Sequence, residues 1–267
     1  MADLLSIYVH IMAARMRAQL QYRVSFVLQL VGSFSLSFTD FAVVLVIFAH
    51  LPYLAGWSLG EVAFLYGTSY MAFQLSDIAV GQLDQLPVLI QSGDFDMVLI
   101  RPLGALFQVV TLDFTLRRFG AFGQGALVFA LALARTDIHW TAGRVLVLTL
   151  MPVWSIPIFA SVWVVGATSA FWAVRSMEVI NLVTHGGQLL TQYPLQVFGA
   201  WIQRLVIFVV PLAFVNYFPS LYVLGKPDPL GAPEFVRFAS PVVAIVLVVV
   251  AGRIWNFGVR HYRSTGS

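Results

Sequence analysis

Residues 145–174 read VLVLTLMPVWSIPIFASVWVVGATSAFWAV, and not one of these side chains carries a charge. A helix rises 1.5 Å per residue and the hydrocarbon core of a bilayer is ~30 Å thick, so about 20 apolar residues suffice to cross it. An uncharged run of this length reads as a membrane-spanning helix. The composition of the whole chain agrees with it. Of 267 residues 60% are hydrophobic and 10% charged, with a mean hydropathy of +0.87, whereas a soluble domain carries about 25% charged residues. So little polar surface cannot cover a globule in water, and lipid must be the outer solvent.

Working outward from this run, five further stretches have the length and apolarity of spans. Before it come Val24–Ala49, with Asp40 inside, Val62–Leu83, with Asp77 inside, and a shorter run, Phe119–Ala134, with Arg117 and Arg118 at its mouth. After it come the uncharged stretch Leu205–Gly225, interrupted by Pro211 and Pro219, and Phe238–Val259. The reading is an all-α, polytopic membrane bundle of six transmembrane helices in one domain: an N-terminal in-plane helix over 1–23, the bundle over 24–259 and a cytoplasmic tail over 260–267.

Basic residues set orientation. With the N-terminus inside, the inner flanks hold Arg15, Arg17, Arg23, Arg101, Arg117, Arg118, Arg175, Arg204, Arg253, Arg260 and Arg263. The outer loops hold Arg135, Arg144, Lys226 and Arg237. Both termini are therefore expected in the cytoplasm. Trp57 and Trp140 fall in outer loops, and Trp172, Trp201 and Trp255 near inner ends, as indole rings at the headgroup level should. Trp154 and Trp163 lie deep in the fourth span and are expected to pack between helices. A secretory signal has a short apolar core and a small-residue cleavage site; the apolar run that follows Arg23 is far too long for one, so the first span is expected to be retained.

Three segments are neither spans nor simple loops. Residues 4–23 fit an amphipathic helix on the inner surface, with Leu5, Met12 and Met16 toward lipid and Arg15 toward water. Residues 84–102, DQLPVLIQSGDFDMVLIRP, fit a short interfacial helix broken at Gly93. Residues 176–203 look similar, with breaks at Gly186–Gly187 and Pro194.

Several chemistries are excluded. The single lysine, Lys226, sits in Gly225-Lys226-Pro227, so no phosphate-cradling P-loop exists in the chain. There is no cysteine, the five histidines have no metal-ligand spacing, and no nucleophile elbow is present. The 14 arginines form no stripe with interleaved aromatics, which removes nucleic acid as a partner. Intramembrane carboxylates are functional candidates because each costs at least ~2.5 kcal/mol in hydrocarbon. Asp40 and Asp77 either line a polar path for a cationic substrate or hydrogen-bond between helices, with Gln29, Gln74 or Ser76 as partners. Asp113, four residues before Arg117, has the spacing of a helical ion pair. Ser58 and Glu61 have that of a capping box.

Several of these stretches together resemble the ABC-2 type exporter permeases, and among them the half-size, viologen-exporter-like subgroup of ABC transporter permeases. The matching pieces are Tyr22-Arg23 with Phe26, Gly56-Trp57-Ser58 with Glu61, and Ile90-Gln91-Ser92-Gly93-Asp94-Phe95-Asp96 leading to Leu99-Ile100-Arg101-Pro102. Tyr193-Pro194, Pro211-Leu212-Ala213-Phe214-Val215 and Tyr217-Phe218-Pro219 follow, then Trp255, Gly258, Arg260, Tyr262, Ser264 and Gly266.

The resemblance implies a permease subunit paired with a second one, identical or paralogous, above two cytoplasmic ABC ATPase subunits. ATP and magnesium would sit on those ATPases; the chain itself would hold no cofactor and be no enzyme. It implies outward movement of a hydrophobic or cationic amphiphilic small molecule across a prokaryotic inner membrane, by alternating access. It makes the segment between spans two and three a coupling helix, in which Gly93, Asp94, Asp96 and Arg101 contact or support the ATPase. Pro152, Pro157 and Pro211 could bend spans that move. An ion-coupled secondary transporter, working through Asp40 or Asp77, and a membrane scaffold that moves nothing are the other classes the residues leave open.

Overall fold

The protein is represented by a computed structural model that describes residues 21–113, 115, 117–173 and 176–263, together with Ser6, His10, Ala13, Ala14, Met16 and Arg17. These last six are helical. The remaining residues of 1–20 in the expected in-plane helix lie outside the described residues, as do 264–267 of the tail. Among the described residues there is no β-strand, only an isolated bridge between Leu54 and Trp57.

Among the described residues, three helices are long and apolar enough to cross a membrane: α1 (Arg23–His50), α7 (Ala142–Thr168, prolonged by a 3₁₀ turn to Phe171) and α11 (Ser240–His261). Two further long helices, α2 (Leu59–Val80) and α6 (Arg118–Arg135), stand among them. The polar content of α2 has a packing reason. Thirteen of its 22 residues are buried, because it is surrounded by α6, α7 and α1, so its side chains meet protein rather than lipid. Its start is fixed by the expected capping box. Ser58 N–H donates to Glu61 Oε2 at 2.8 Å and Glu61 N–H to Ser58 Oγ at 3.4 Å.

Between α2 and α6 the chain forms a 3₁₀ turn (Gly81–Gln85) and three short helices: α3 (Leu86–Ser92), α4 (Phe95–Leu99) and α5 (Ala105–Val110). Helix α6 begins only at Arg118, so Asp113 lies in the segment ahead of it rather than on its face.

The fifth crossing departs from expectation. The stretch Leu205–Gly225 is no continuous span. Helix α9 (Ala200–Arg204) runs into a π-helical turn (Leu205–Val209), breaks at Val210-Pro211, and resumes as a 3₁₀ turn (Leu212–Phe214) and α10 (Tyr217–Leu224). The two halves are bent by 76°. Helix α8 (Ser176–Thr191), expected as an interfacial segment, instead runs along the bundle, unbroken at Gly186–Gly187. Ile180 lies against Gly166 near the end of α7, Thr191 meets Ser69 halfway along α2, and Gln196 donates to the Tyr217 hydroxyl. Tyr217 in turn packs on Trp57 beside the start of α2, with ring centroids 6.1 Å apart. Residues 176–197 thus carry the chain from one end of the bundle to the other. Trp201 and Arg204 come after that passage, on the Trp57 side rather than at the inner ends expected for them.

From there the chain dips back. Leu212 lies against Gly187, Asn216 Nδ2 donates to Leu65 O and Thr191 O, both at 2.9 Å, and the Ser155 hydroxyl donates to Val215 O. Helix α10 then returns to the Trp57 end, where Lys226 Nζ pairs with Glu61 Oε1 at 2.8 Å. The pattern is a re-entrant hairpin wedged between α2, α7 and α8. Its irregular backbone is satisfied by protein groups, the condition under which such backbone persists at membrane depth.

Close helix contact depends on small residues. A Cβ on Gly120 would run into the Leu30 carbonyl oxygen of α1, whereas Gly123 has open space. Gly120→Ala should therefore push α6 off α1, an overpacking cost of about 1–3 kcal/mol. Thermal unfolding in detergent should show a clear fall for this variant and none for Gly123→Ala.

Candidate functional site

Two ends and one flank of the bundle carry the candidate groups. At the Gly93 end, α3 stops because Gly93 adopts φ +81°, a left-handed conformation that closes the helix and that side chains resist. The Asp94 carboxylate accepts from Ser92 Oγ at 2.7 Å, and Asp96 N–H donates to Gly93 O at 3.1 Å. Asp94 and Arg101 are exposed and Asp96 is partly so. The four residues named from sequence therefore share one surface turn. Beside them Met97, Leu99 and Ile100 are also exposed, Ile100 at 74%. Charged and apolar groups side by side on an exposed turn are what a protein partner can hold.

The anchor of this turn was not legible in the sequence. Phe95, between the two acids, is fully buried and meets the rings of Phe171 and Tyr262 edge-on at 5.4 and 5.0 Å. Phe171 also packs on Trp255 at 5.6 Å. The turn is thus fastened to the ends of α7 and α11. The buried Gln108 closes it from below, donating to Val98 O and Leu103 O at 2.8 and 2.7 Å. A second tie runs to the core. Trp163 Nε1 donates to Asp84 Oδ1 at 2.7 Å, and the indole stacks on Phe73 at 5.2 Å. Burial pushes the Asp84 carboxyl above the usual carboxylate range, opposed by that hydrogen bond and by the nearby His185 and Arg118. An acid flanked by aromatics many residues away in sequence leaves no local signal.

The two intramembrane acids are treated differently. Asp77 Oδ2 pairs with Arg118 Nε at 3.0 Å, and Arg118 Nη1 donates to the Asp77 carbonyl at 2.8 Å. Neither Gln29, Gln74 nor Ser76 is its partner; Gln29 donates to Ser25 Oγ and Ser76 Oγ to backbone carbonyls. Asp77 thus ties α2 to the mouth of α6. Asp40 makes no hydrogen bond or ion pair among the described residues. It is exposed and borders a groove of about 420 Å³ between α1 and α8, with His185, Gln188, Gln192 and Tyr193 on the facing wall. The structure does not bring Asp40 and Asp77 into one site.

The tryptophans divide similarly. Trp163 packs between helices as expected, but Trp57 is buried, with Lys226 Nζ 4.9 Å from its ring centroid, and Trp255 is buried as well. Trp140, Trp172 and Trp201 are exposed, at 50, 54 and 71%.

These features define a multi-pass helical membrane protein with an exposed turn at one end and a polar groove on its flank. The sequence model of the ABC-2 family transporter proteins matches residues 34–266, and the chain belongs to that family. Its members are membrane subunits, not catalysts themselves, and associate with an ABC ATPase subunit. No curated protein and no solved structure matches the chain.

Removing one partner of a fully buried ion pair costs ~3–5 kcal/mol by stranding the other, and this partly buried pair should lose a smaller share of that. Arg118→Gln should sharply lower the thermal stability and yield of the purified protein. Adding Asp77→Asn to it should recover part of the loss, because no charge is then left unpaired.

Proposed function

We propose that the chain is the permease subunit of an ABC exporter of the viologen-exporter-like kind. The observation that carries the reading is family membership across residues 34–266 combined with the surface turn around Gly93. Six crossings are made by α1, α2, α6, α7, residues 176–197 and α11, with both termini in the cytoplasm and the Gly93 end facing it, in a prokaryotic inner membrane. Two permease subunits, identical or paralogous, stand above two ATPase subunits that supply ATP and magnesium. This assignment favours the exporter over an ion-coupled carrier or a scaffold.

Gly93, Asp94, Asp96 and Arg101 form the contact with the ATPase, with Met97, Leu99 and Ile100 as its apolar part. Closure of the ATPase dimer pushes on the turn. The push passes through Phe95 into Phe171 and Trp255, and through Asp84 into Trp163, so that α7 and α11 move with the turn. The Asp40 groove receives the substrate, a hydrophobic or cationic amphiphilic small molecule. An unpaired carboxylate beside aromatic rings draws a cation by charge and by ring quadrupole together. Because α8 exposes Leu182 and Leu189 along the same flank, a second subunit can close the groove into a cavity.

Gly93→Val or Arg101→Glu should leave an inserted, detergent-stable permease that has lost copurifying ATPase. Truncating a buried interfacial charge costs ~2–5 kcal/mol, which changes occupancy tens- to thousands-fold. Wild-type ATPase recovery and transport in both variants would remove the turn from the coupling role. Single cysteines at Ser92 and Ala142 test the orientation: an impermeant maleimide added outside should label position 142 and spare position 92.

Asp40→Asn keeps the shape of the side chain and removes its charge. Vesicle uptake by this variant should lose cationic substrates while retaining neutral ones, with ATPase assembly unchanged. Equal loss of both would make Asp40 a structural residue.

A further inference from the structure

At the Trp57 end, a cavity of about 290 Å³ opens between α7, α10 and the start of α11. Its walls are apolar, with Leu146, Leu150 and Trp154 on one side and Tyr222 and Phe238 on the other. The Tyr222 and Phe238 rings close one corner edge-on at 4.8 Å. One charged group lines it, Arg237, which is half-buried and whose Nε is sealed from solvent without a hydrogen-bond partner.

Apart from Glu234, the other charged groups of this end are engaged or belong to other elements. Lys226 is held by Glu61 and by Gly56 O. Arg144 Nη1 donates to His139 O at 2.9 Å. The Asp228 carboxylate accepts from the backbone of Leu230 and Ala232, both at 3.0 Å. Glu234 stands at the N-terminus of the same 3₁₀ turn as Arg237, and no ion pair joins the two among the described residues. A guanidinium kept partly from water with an unmet donor costs free energy unless something completes it. Its planar fork suits a phosphate, and the apolar walls beside it suit a hydrocarbon chain.

We propose that this cavity is a binding site for an anionic phospholipid of the leaflet at the Trp57 end. The phosphate sits on Arg237, and part of one acyl chain lies along Leu146, Leu150 and Trp154. The site is separate from the Asp40 groove, which opens between α1 and α8.

The test uses the purified full chain in detergent micelles. Phosphatidylglycerol or phosphatidylcholine is added, with retained lipid read by native mass spectrometry and unfolding by thermal shift. Wild type should retain phosphatidylglycerol preferentially and unfold at a higher temperature with it than with phosphatidylcholine. Arg237→Gln should weaken that retention by about tenfold or more, since a charge-assisted pair is lost. Leu150→Trp, which fills the apolar wall and leaves the guanidinium, should lower retention too. Arg253→Gln, at an exposed arginine elsewhere on α11, should not. The proposal is overturned if wild type does not prefer phosphatidylglycerol, or if folded Arg237→Gln and Leu150→Trp retain it as wild type does. It is overturned equally if inorganic phosphate alone reproduces the shift, since the acyl chain would then contribute nothing.

Discussion

Hydrocarbon offers no hydrogen bonds, so every stretch of backbone that leaves a helix inside the bundle must find its partners in protein. The re-entrant segment that ends at Leu224 is where this constraint is felt most. Asn216, fully buried, spends its amide on carbonyls of α2 and α8. Ser155 of α7 reaches Val215 O, and Ser240 of α11 reaches Phe214 O at 2.7 Å. One irregular turn therefore ties together four of the long elements. The hairpin cannot shift without breaking bonds to the helices around it, and those helices cannot shift without disturbing the hairpin.

The opposite end is organised by aromatic packing. There the surface turn would be free to slide if charge alone held it. Phe95 prevents this by plugging into rings at the ends of two long helices, and the Asp84–Trp163 bond fixes the preceding 3₁₀ turn to a third point. Edge-to-face rings are worth about 0.5–1.5 kcal/mol per pair beyond the area they bury. That suffices to make the turn and the helix ends one mechanical unit. In the proposed coupling, a push at Gly93 arrives at α7 and α11 rather than being absorbed by the loop.

Between the two ends, the same residue type meets two different environments. Asp77 lies where the mouth of α6 can present Arg118, so its charge is cancelled and its position fixed. Asp40 faces a groove whose other wall is built of amides, a histidine and a phenol, so its charge remains available. Burial and neighbours decide this, and neither is written in the local sequence around the two acids.

The sequence by itself determined that the chain lives in a membrane, where four of its long helices begin and end to within a few residues, and that helix α3 must stop at Gly93. Hydropathy and the steric demand of a left-handed turn are local properties, readable residue by residue. The motif running from Ile90 to Pro102 was legible for the same reason, and so was the capping box at Ser58. Only the tertiary structure decided which segment makes the fifth passage. The uncharged run at 205–225 looked more like a span than the polar helix at 176–191. A helix sheltered by protein on several sides needs no apolar surface of its own, whereas a run broken at Val210-Pro211 can fold back. The partner of Asp77, the solitude of Asp40, the anchoring of Phe95 and the unmet donor of Arg237 likewise depend on contacts between residues tens of positions apart. Those contacts exist only once the helices have packed.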